Sequence, residues 1–127
     1  MVTIEEFSKF DFRIAKIVDA QDHPNADKLV ILKIDVGEKG SALIGQISDQ
    51  TSNTENNTTY KQIVAGIKKS YSKNELIGKL IVVVNNLEPA VLRGVKSEGM
   101  LLAATDSEGL PILITPEKNV EPGAKVK

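Results

Sequence analysis

Apolar residues in this chain fall mostly in short alternating runs separated by turn-forming clusters. Leu29 to Val36 is the cleanest of them. Val30, Leu32, Ile34 and Val36 point to one side, Ile31, Lys33 and Asp35 to the other. That two-residue period predicts a strand with one face in a core. Phe12 to Gln21 predicts another, with a slip of phase: Phe12 and Ile14 share a parity, Ile17 takes the other and Val18 returns. Such a slip is the mark of a β-bulge, which small barrels use to curve. Ala42 to Ile47, Gln62 to Ile67, Lys79 to Val84, Val91 to Val95, Met100 to Thr105 and Ile112 to Thr115 are further short strand candidates.

Two brief helices are written into capping-box spacings. Thr3 precedes Glu6 by three residues, and Ser72 precedes Glu75 by three. In each, the hydroxyl accepts a backbone N–H while the glutamate reaches back to the cap. Ile4, Phe7 and Phe10 are expected to dock the first helix on the barrel as core. Gly78 is expected to end the second. His23-Pro-Asn-Ala-Asp27 is a turn cluster, and Asp49 to Thr59 is almost wholly polar and reads as a hairpin loop.

Many short strands with glycine and proline punctuation favour a barrel. A helix between the third and fourth strands specifies an all-β OB-fold Greek-key barrel, with a short N-terminal helix, an inter-strand helix and a C-terminal β extension. At 127 residues the chain suits one domain, 1–127, with 41–59 as a polar hairpin loop or insertion.

Composition narrows the chemistry. There is no cysteine and one histidine, His23. A Cys–His pair is therefore excluded, and any triad would have to form around a histidine that sits in a turn before proline. No phosphate-binding glycine loop is present. A non-catalytic binding module without cofactor or metal is the expectation. No apolar stretch is long enough to span a membrane, and no secretion signal opens the chain, so a cytoplasmic protein is expected.

Net charge is −1, but it is unevenly distributed. From Lys61 to Lys96 the chain carries +5, leaving −6 elsewhere. A positive region on an acidic background steers phosphate-bearing ligands while limiting indiscriminate binding. The plainer alternative is an excess of lysine on a solvated face. Aromatic residues are few: Phe7, Phe10, Phe12, Tyr60 and Tyr71. The stacking platforms that grip single strands are not evident, which favours folded RNA read through phosphate and ribose.

Three segments then carry a resemblance. They are Phe12-Arg-Ile-Ala-Lys-Ile-Val, His23-Pro-Asn-Ala-Asp-Lys-Leu29, and the run Val84-Asn-Asn-Leu-Glu-Pro-Ala-Val-Leu-Arg-Gly-Val-Lys-Ser-Glu-Gly-Met-Leu-Leu-Ala-Ala104. Gln62-Ile-Val-Ala-Gly66 and the Tyr71 to Gly78 helix fit between them in order. The chain resembles the tRNA-binding domain at the C-terminus of many methionyl-tRNA synthetases, found also in synthetase-associated cofactors and as a stand-alone dimeric protein. The likeness extends over nearly the whole chain and departs from the family pattern between Ser41 and Thr59.

The resemblance implies structure-specific, sequence-tolerant tRNA binding, either alone as a homodimer or with methionyl-tRNA synthetase. Carried over position by position, it implicates Asn25, Lys28, Lys33, Arg93, Ser97 and Met100. Lys28, Lys33 and Arg93 would pair with phosphates, Asn25 and Ser97 with phosphate or 2′-hydroxyl groups, and Met100 with a sugar or base. Each has a structural alternative: Asn25 as a turn residue, Ser97 as a partner for loop backbone, Met100 as core. The dimer surface is expected at the N-terminal helix around Phe7 or along the tail from Leu110 onward. A rival reading is an export-related, polypeptide-binding chaperone of the same fold family.

Overall fold

The structure is a computed structural model and describes residues 1–39 and 58–127. The strand expected at Ala42 to Ile47 and most of the polar loop lie outside those residues. Ten strands and two short helices are described: α1 (Ile4–Phe7), β1 (Phe12–Asp22), β2 (Val30–Lys39), β3 (Thr58–Ala65), α2 (Lys73–Leu76), β4 (Leu80–Val84), β5 (Ala90–Leu92), β6 (Val95–Ser97), β7 (Met100–Leu101), β8 (Ala103–Thr105), β9 (Pro111–Leu113) and β10 (Lys125–Val126).

The main sheet is antiparallel in the order β3-β2-β1-β4-β7, and β10 pairs with β1. Its first strand, β3, meets the β6–β7 segment through two side chains and one main-chain bond. Ser97 Oγ accepts the Val64 N–H at 3.0 Å. Glu98 N–H donates to the Gln62 carbonyl at 2.8 Å, and Gln62 N–H donates to Glu98 Oε1 at 2.9 Å. This seam nearly closes the sheet into an all-β barrel, with α2 between the third and fourth strands, as the OB arrangement requires.

The alternation predicted for β2 is present: Val30, Leu32, Ile34 and Val36 are buried, while Lys33 is exposed. They pack with Ala15, Ile17, Ile63, Ile81, Val83 and Leu101 in one core. The bulge in β1 lies between Ile17 and Asp19, where the register against β2 shifts. It lets Ile17 and Ala20 both face the core. Both capping boxes form, with reciprocal Thr3–Glu6 and Ser72–Glu75 bonds. Gly78, at φ 95°, follows the second helix.

Two expected strands are divided. Val91 to Val95 is a hairpin turning at Arg93-Gly94, whose φ values of 53° and 91° give the two positive dihedrals of a tight primed turn. Met100 to Thr105 is split at Leu102, which leaves β8 to pair with β9 in a separate two-stranded sheet whose Leu113 still packs into the core.

The N-terminal aromatics do not enter the core. Ile4 is 74% exposed, and Phe7 and Phe10 are exposed as well. Phe7 and Phe10 gather instead around Phe12, with ring centroids 5.7 and 5.4 Å from it. A four-residue helix offers too short a stripe to bury, and polar groups hold this segment to the barrel. Asp11 N–H donates to Asn86 Oδ1 at 2.8 Å, and Asn86 Nδ2 donates to the Lys9 carbonyl at 2.7 Å.

One end of the barrel is sealed by a polar network. Lys61 Nζ donates to the carbonyl and to Oδ1 of buried Asn85, whose amide donates to Asp11 Oδ2 at 3.2 Å. Asp11 also receives Arg13 and Lys125. Hydrogen bonding from Arg13, aided by Asn85 and Lys125 and opposed by partial burial, holds the Asp11 carboxyl far below its usual 3.8. The folded chain therefore binds fewer protons than the unfolded chain through the range below pH 4. The stabilisation is complete above that value and is lost as pH falls toward the depressed one. Asp11→Asn is expected to cost about 2 kcal/mol at pH 7 and about half that at pH 2, checked by urea unfolding at both values. An equal cost at both would show that the charge of Asp11 contributes nothing.

Candidate nucleic-acid interface

The β1–β2 turn and the β5–β6 hairpin are joined through one imidazole. His23 is buried, and its Nδ1 accepts the Asn25 N–H at 2.9 Å. That lone pair being engaged, the ring proton sits on Nε2 and is directed at the Leu92 carbonyl, 3.0 Å away. Arg93 returns across the same gap: its guanidinium donates to the Asn25 carbonyl at 3.3 Å. His23 therefore positions the turn carrying Asn25 and Lys28 against the hairpin tip carrying Arg93. Pattern reading saw only a histidine in a turn, because its partner is 69 residues away.

Asn25, Lys28, Lys33 and Arg93 are all exposed. Asn25 and Arg93 are in direct contact, Lys28 follows on the same turn, and Lys33 stands on the outer side of β2. Lys33 faces Asp19 on one neighbouring strand and Gln62 on the other. Its ammonium lies over the Tyr60 ring, 5.9 Å from the centroid. Gln62 connects this strand face to the hairpin, since its side-chain amide donates to the Lys96 carbonyl at 2.8 Å. The surface thus runs from Tyr60 and Lys33 across Gln62 to Lys96, Arg93 and Asn25.

Ser97 and Met100 are placed differently. Ser97 is 3% exposed, and its hydroxyl is engaged on both sides, receiving Val64 N–H and donating to the Gly99 carbonyl at 2.9 Å. It fastens the hairpin to β3 from inside. Met100 is half-buried and pairs with Val84 on β4. Tyr60, Gln62 and Lys96 belong to the surface although pattern reading did not single them out. The signal was there: Tyr60 and Gln62 share a parity, and that parity is the one opposite buried Ile63.

The +5 segment does not form one patch. Lys68 and Lys73 both reach Asp22, at 3.3 Å each, and depress its carboxyl, Lys73 most. Lys61 faces Asn85, and Lys79 lies over the Tyr71 ring. Lys69 is exposed, and Arg93 and Lys96 stand on the outer face, joined there by Lys28 and Lys33 from outside that segment. Among the described residues no group of histidine and acidic side chains could hold a metal ion, and no helix is long and apolar enough to cross a membrane.

A barrel of this order, with polar and cationic groups on the β2–β3 face and on the adjoining turn, is the architecture of OB-type oligonucleotide binders. Comparison with known proteins makes the class definite. The chain matches the family described as putative tRNA binding domain over residues 12–58 and 51–125, and it belongs to that family. It is 48% identical over 126 residues to the methionine–tRNA ligase of Pyrococcus furiosus, covering 99% of this chain and 14% of that protein. It is 46% identical over 125 residues to the enzyme of Thermotoga maritima, covering 98% of this chain and 16% of that one. The chain thus spans a small fraction of the length of these relatives. Among solved structures, a methionyl-tRNA synthetase related protein from Pyrococcus horikoshii superimposes with a TM-score of 0.78 at 28% identity, covering 100% of this chain and 98% of that one. The CsaA chaperone protein from Picrophilus torridus does so with 0.77 at 33% identity, with both chains fully covered.

Proposed function

We propose that this chain is a non-catalytic module, a single domain over residues 1–127, that binds folded tRNA by shape with little regard to sequence. Membership of the putative tRNA-binding family is the observation that carries the reading. The exposed set Asn25, Lys28, Lys33 and Arg93 supplies its chemistry: three cations for phosphates and one amide for phosphate or 2′-hydroxyl. Ser97 serves by holding the hairpin in place, and Met100 lends apolar contact at the sheet edge. The module works alone or beside a methionyl-tRNA synthetase catalytic body, in the cytoplasm. Two copies associate through apolar surface left uncovered at Ile4, Phe7 and Phe10 and along the tail at Ile112, Ile114 and Val120.

A filter-binding comparison at one salt concentration tests this. Several unrelated tRNAs are expected to bind with similar affinity, and duplex or single-stranded RNA at least about tenfold more weakly. Sedimentation of the free protein should give the mass of two chains. Equal affinity for all three RNA forms would reject shape reading.

The likeness to CsaA chaperone structures favours one second reading, binding of unfolded polypeptide, for which the exposed phenylalanines would serve. Displacement of tRNA by a denatured protein distinguishes the two.

A further inference from the structure

Two carboxylates stand on the face that carries Lys33. Asp19 on β1 is directly opposite Lys33, and Glu98 meets Gln62 on the far side. Phosphate contact gains nothing from either charge. Their internal partners do not saturate them. Asp19 Oδ2 accepts Gln21 Nε2 at 3.3 Å, and Glu98 Oε1 accepts the Gln62 N–H at 2.9 Å. Among the described residues, each carboxylate keeps a second oxygen without a partner. Nor does Lys33 neutralise Asp19: among the described residues no ion pair joins them, and the ammonium lies over Tyr60.

Between these groups is a hollow of about 170 Å³. Tyr60 gives it an aromatic wall and Ile31 an aliphatic patch. Asp19 and Glu98 supply acceptors, and Lys33 is the cation turned toward it, since Lys61, which also lines it, donates to Asn85, and the amides of Gln21 and Gln62 donate to Asp19 and to the Lys96 carbonyl. Aromatic surface beside two carboxylates, with the other donors of the lining engaged internally, complements a flat heterocycle and disfavours a phosphate.

We propose that this hollow takes one unpaired guanine base, edge first, while its phosphate stays outside with the exposed cations; the assignment rests on the tRNA-binding reading above. Guanine carries adjacent donors at N1 and N2, which match a carboxylate. Adenine sets its one amino group beside a bare ring nitrogen that a carboxylate repels. Cytosine likewise places a bare nitrogen beside its amino group, and uracil offers a single donor between two carbonyls. The remaining ring surface would lie along Tyr60, with Lys33 left to meet the phosphate outside.

Fluorescence anisotropy of the full chain with a stem–loop RNA bearing one unpaired guanine tests the proposal. Matching RNAs carry inosine, which lacks the N2 amino group, or adenine at that position, and a folded tRNA transcript is measured alongside. Guanine is expected to bind about tenfold more tightly than adenine, with inosine between them. The double variant Asp19→Asn, Glu98→Gln keeps the oxygens that its internal bonds need. It is expected to lose the preference while binding the adenine stem–loop at least as tightly as the native chain. Tyr60→Leu gives a second route, weakening the guanine RNA more than the adenine RNA. Equal affinity for guanine, inosine and adenine, with tRNA still bound, would overturn the base pocket and leave the tRNA reading standing. Failure to bind tRNA at all would overturn both. Displacement of the RNA by a lysine-rich peptide from the native chain but not from the double variant would make the hollow a peptide site and also overturn the proposal.

Discussion

Gly37→Ala is expected to destabilise the protein by about 3 kcal/mol, lowering the melting temperature by roughly 10 °C. Gly37 has φ 79°, where an L side chain costs about 1–2 kcal/mol. It also has no room for one. A Cβ there would stand 2.5 Å from the Pro122 carbonyl oxygen and 2.7 Å from the Gly123 Cα. Both obstacles are backbone, so the tail must move. That tail holds β10 against β1: Gly123 N–H donates to the Ile14 carbonyl at 2.7 Å, and Ile14 N–H to the Ala124 carbonyl at 2.9 Å. Gly109→Ala supplies the control. Its φ is 83°, yet nothing lies within 4 Å of the added carbon. It should cost only the conformational part, about 1 kcal/mol. Equal losses in the two variants, measured by thermal unfolding, would show that the close approach of the tail carries no weight.

Combined loss of Lys33 and Arg93 is expected to weaken tRNA binding about a hundredfold at moderate salt, with each single change giving about tenfold. The slope of log affinity against log salt should fall by about one for each lost phosphate contact. The design of the variants matters. Arg93 sits at φ 53° in the hairpin turn, so Arg93→Asn preserves the turn better than alanine would. Lys33→Ala removes the exposed ammonium and leaves the strand register untouched. Filter binding across a salt series gives affinity and slope together, and an unchanged slope in both single variants would reject the face assignment. Losses confined to one tRNA would instead mean that these residues read sequence.

Local features were legible in the sequence because their causes are local. The capping boxes at Thr3 and Ser72 need only residues three apart. The β2 alternation needs only a two-residue period, and the slip around Val18 was enough to reveal the bulge. Features that depend on distant partners were not. Whether Lys68 and Lys73 serve a ligand or Asp22 is decided by residues about fifty positions away. Ser97 matches a family position, yet its hydroxyl is directed inward because β3 arrives beside it with an N–H to satisfy. Apolar character alone places the phenylalanines in a core, as it does for most apolar residues. Here the barrel is filled by aliphatic side chains from its strands, with Ile67 and with Leu76 of α2, and the phenylalanine cluster remains outside. The surface around Lys33 was half visible: parity gave its direction, but only the fold brings Tyr60, Gln62 and Lys96 to it.

The way the barrel closes has a consequence for how this molecule responds to its ligand. Where β3 meets the β6–β7 segment, a hydroxyl and a carboxylate stand in for part of a regular ladder beside one main-chain bond, from Glu98 N–H to the Gln62 carbonyl. Local opening should begin there, and the amide protons of Gln62 and Val64 are the natural reporters of it. The proposed binding surface straddles the same join, with Tyr60 and Gln62 on one bank and Lys96 and Arg93 on the other. A bound RNA would therefore act as a clasp. Occupancy and resistance to opening would rise together by mass action, and a change that loosens the join would register as weaker binding without touching a single contact residue.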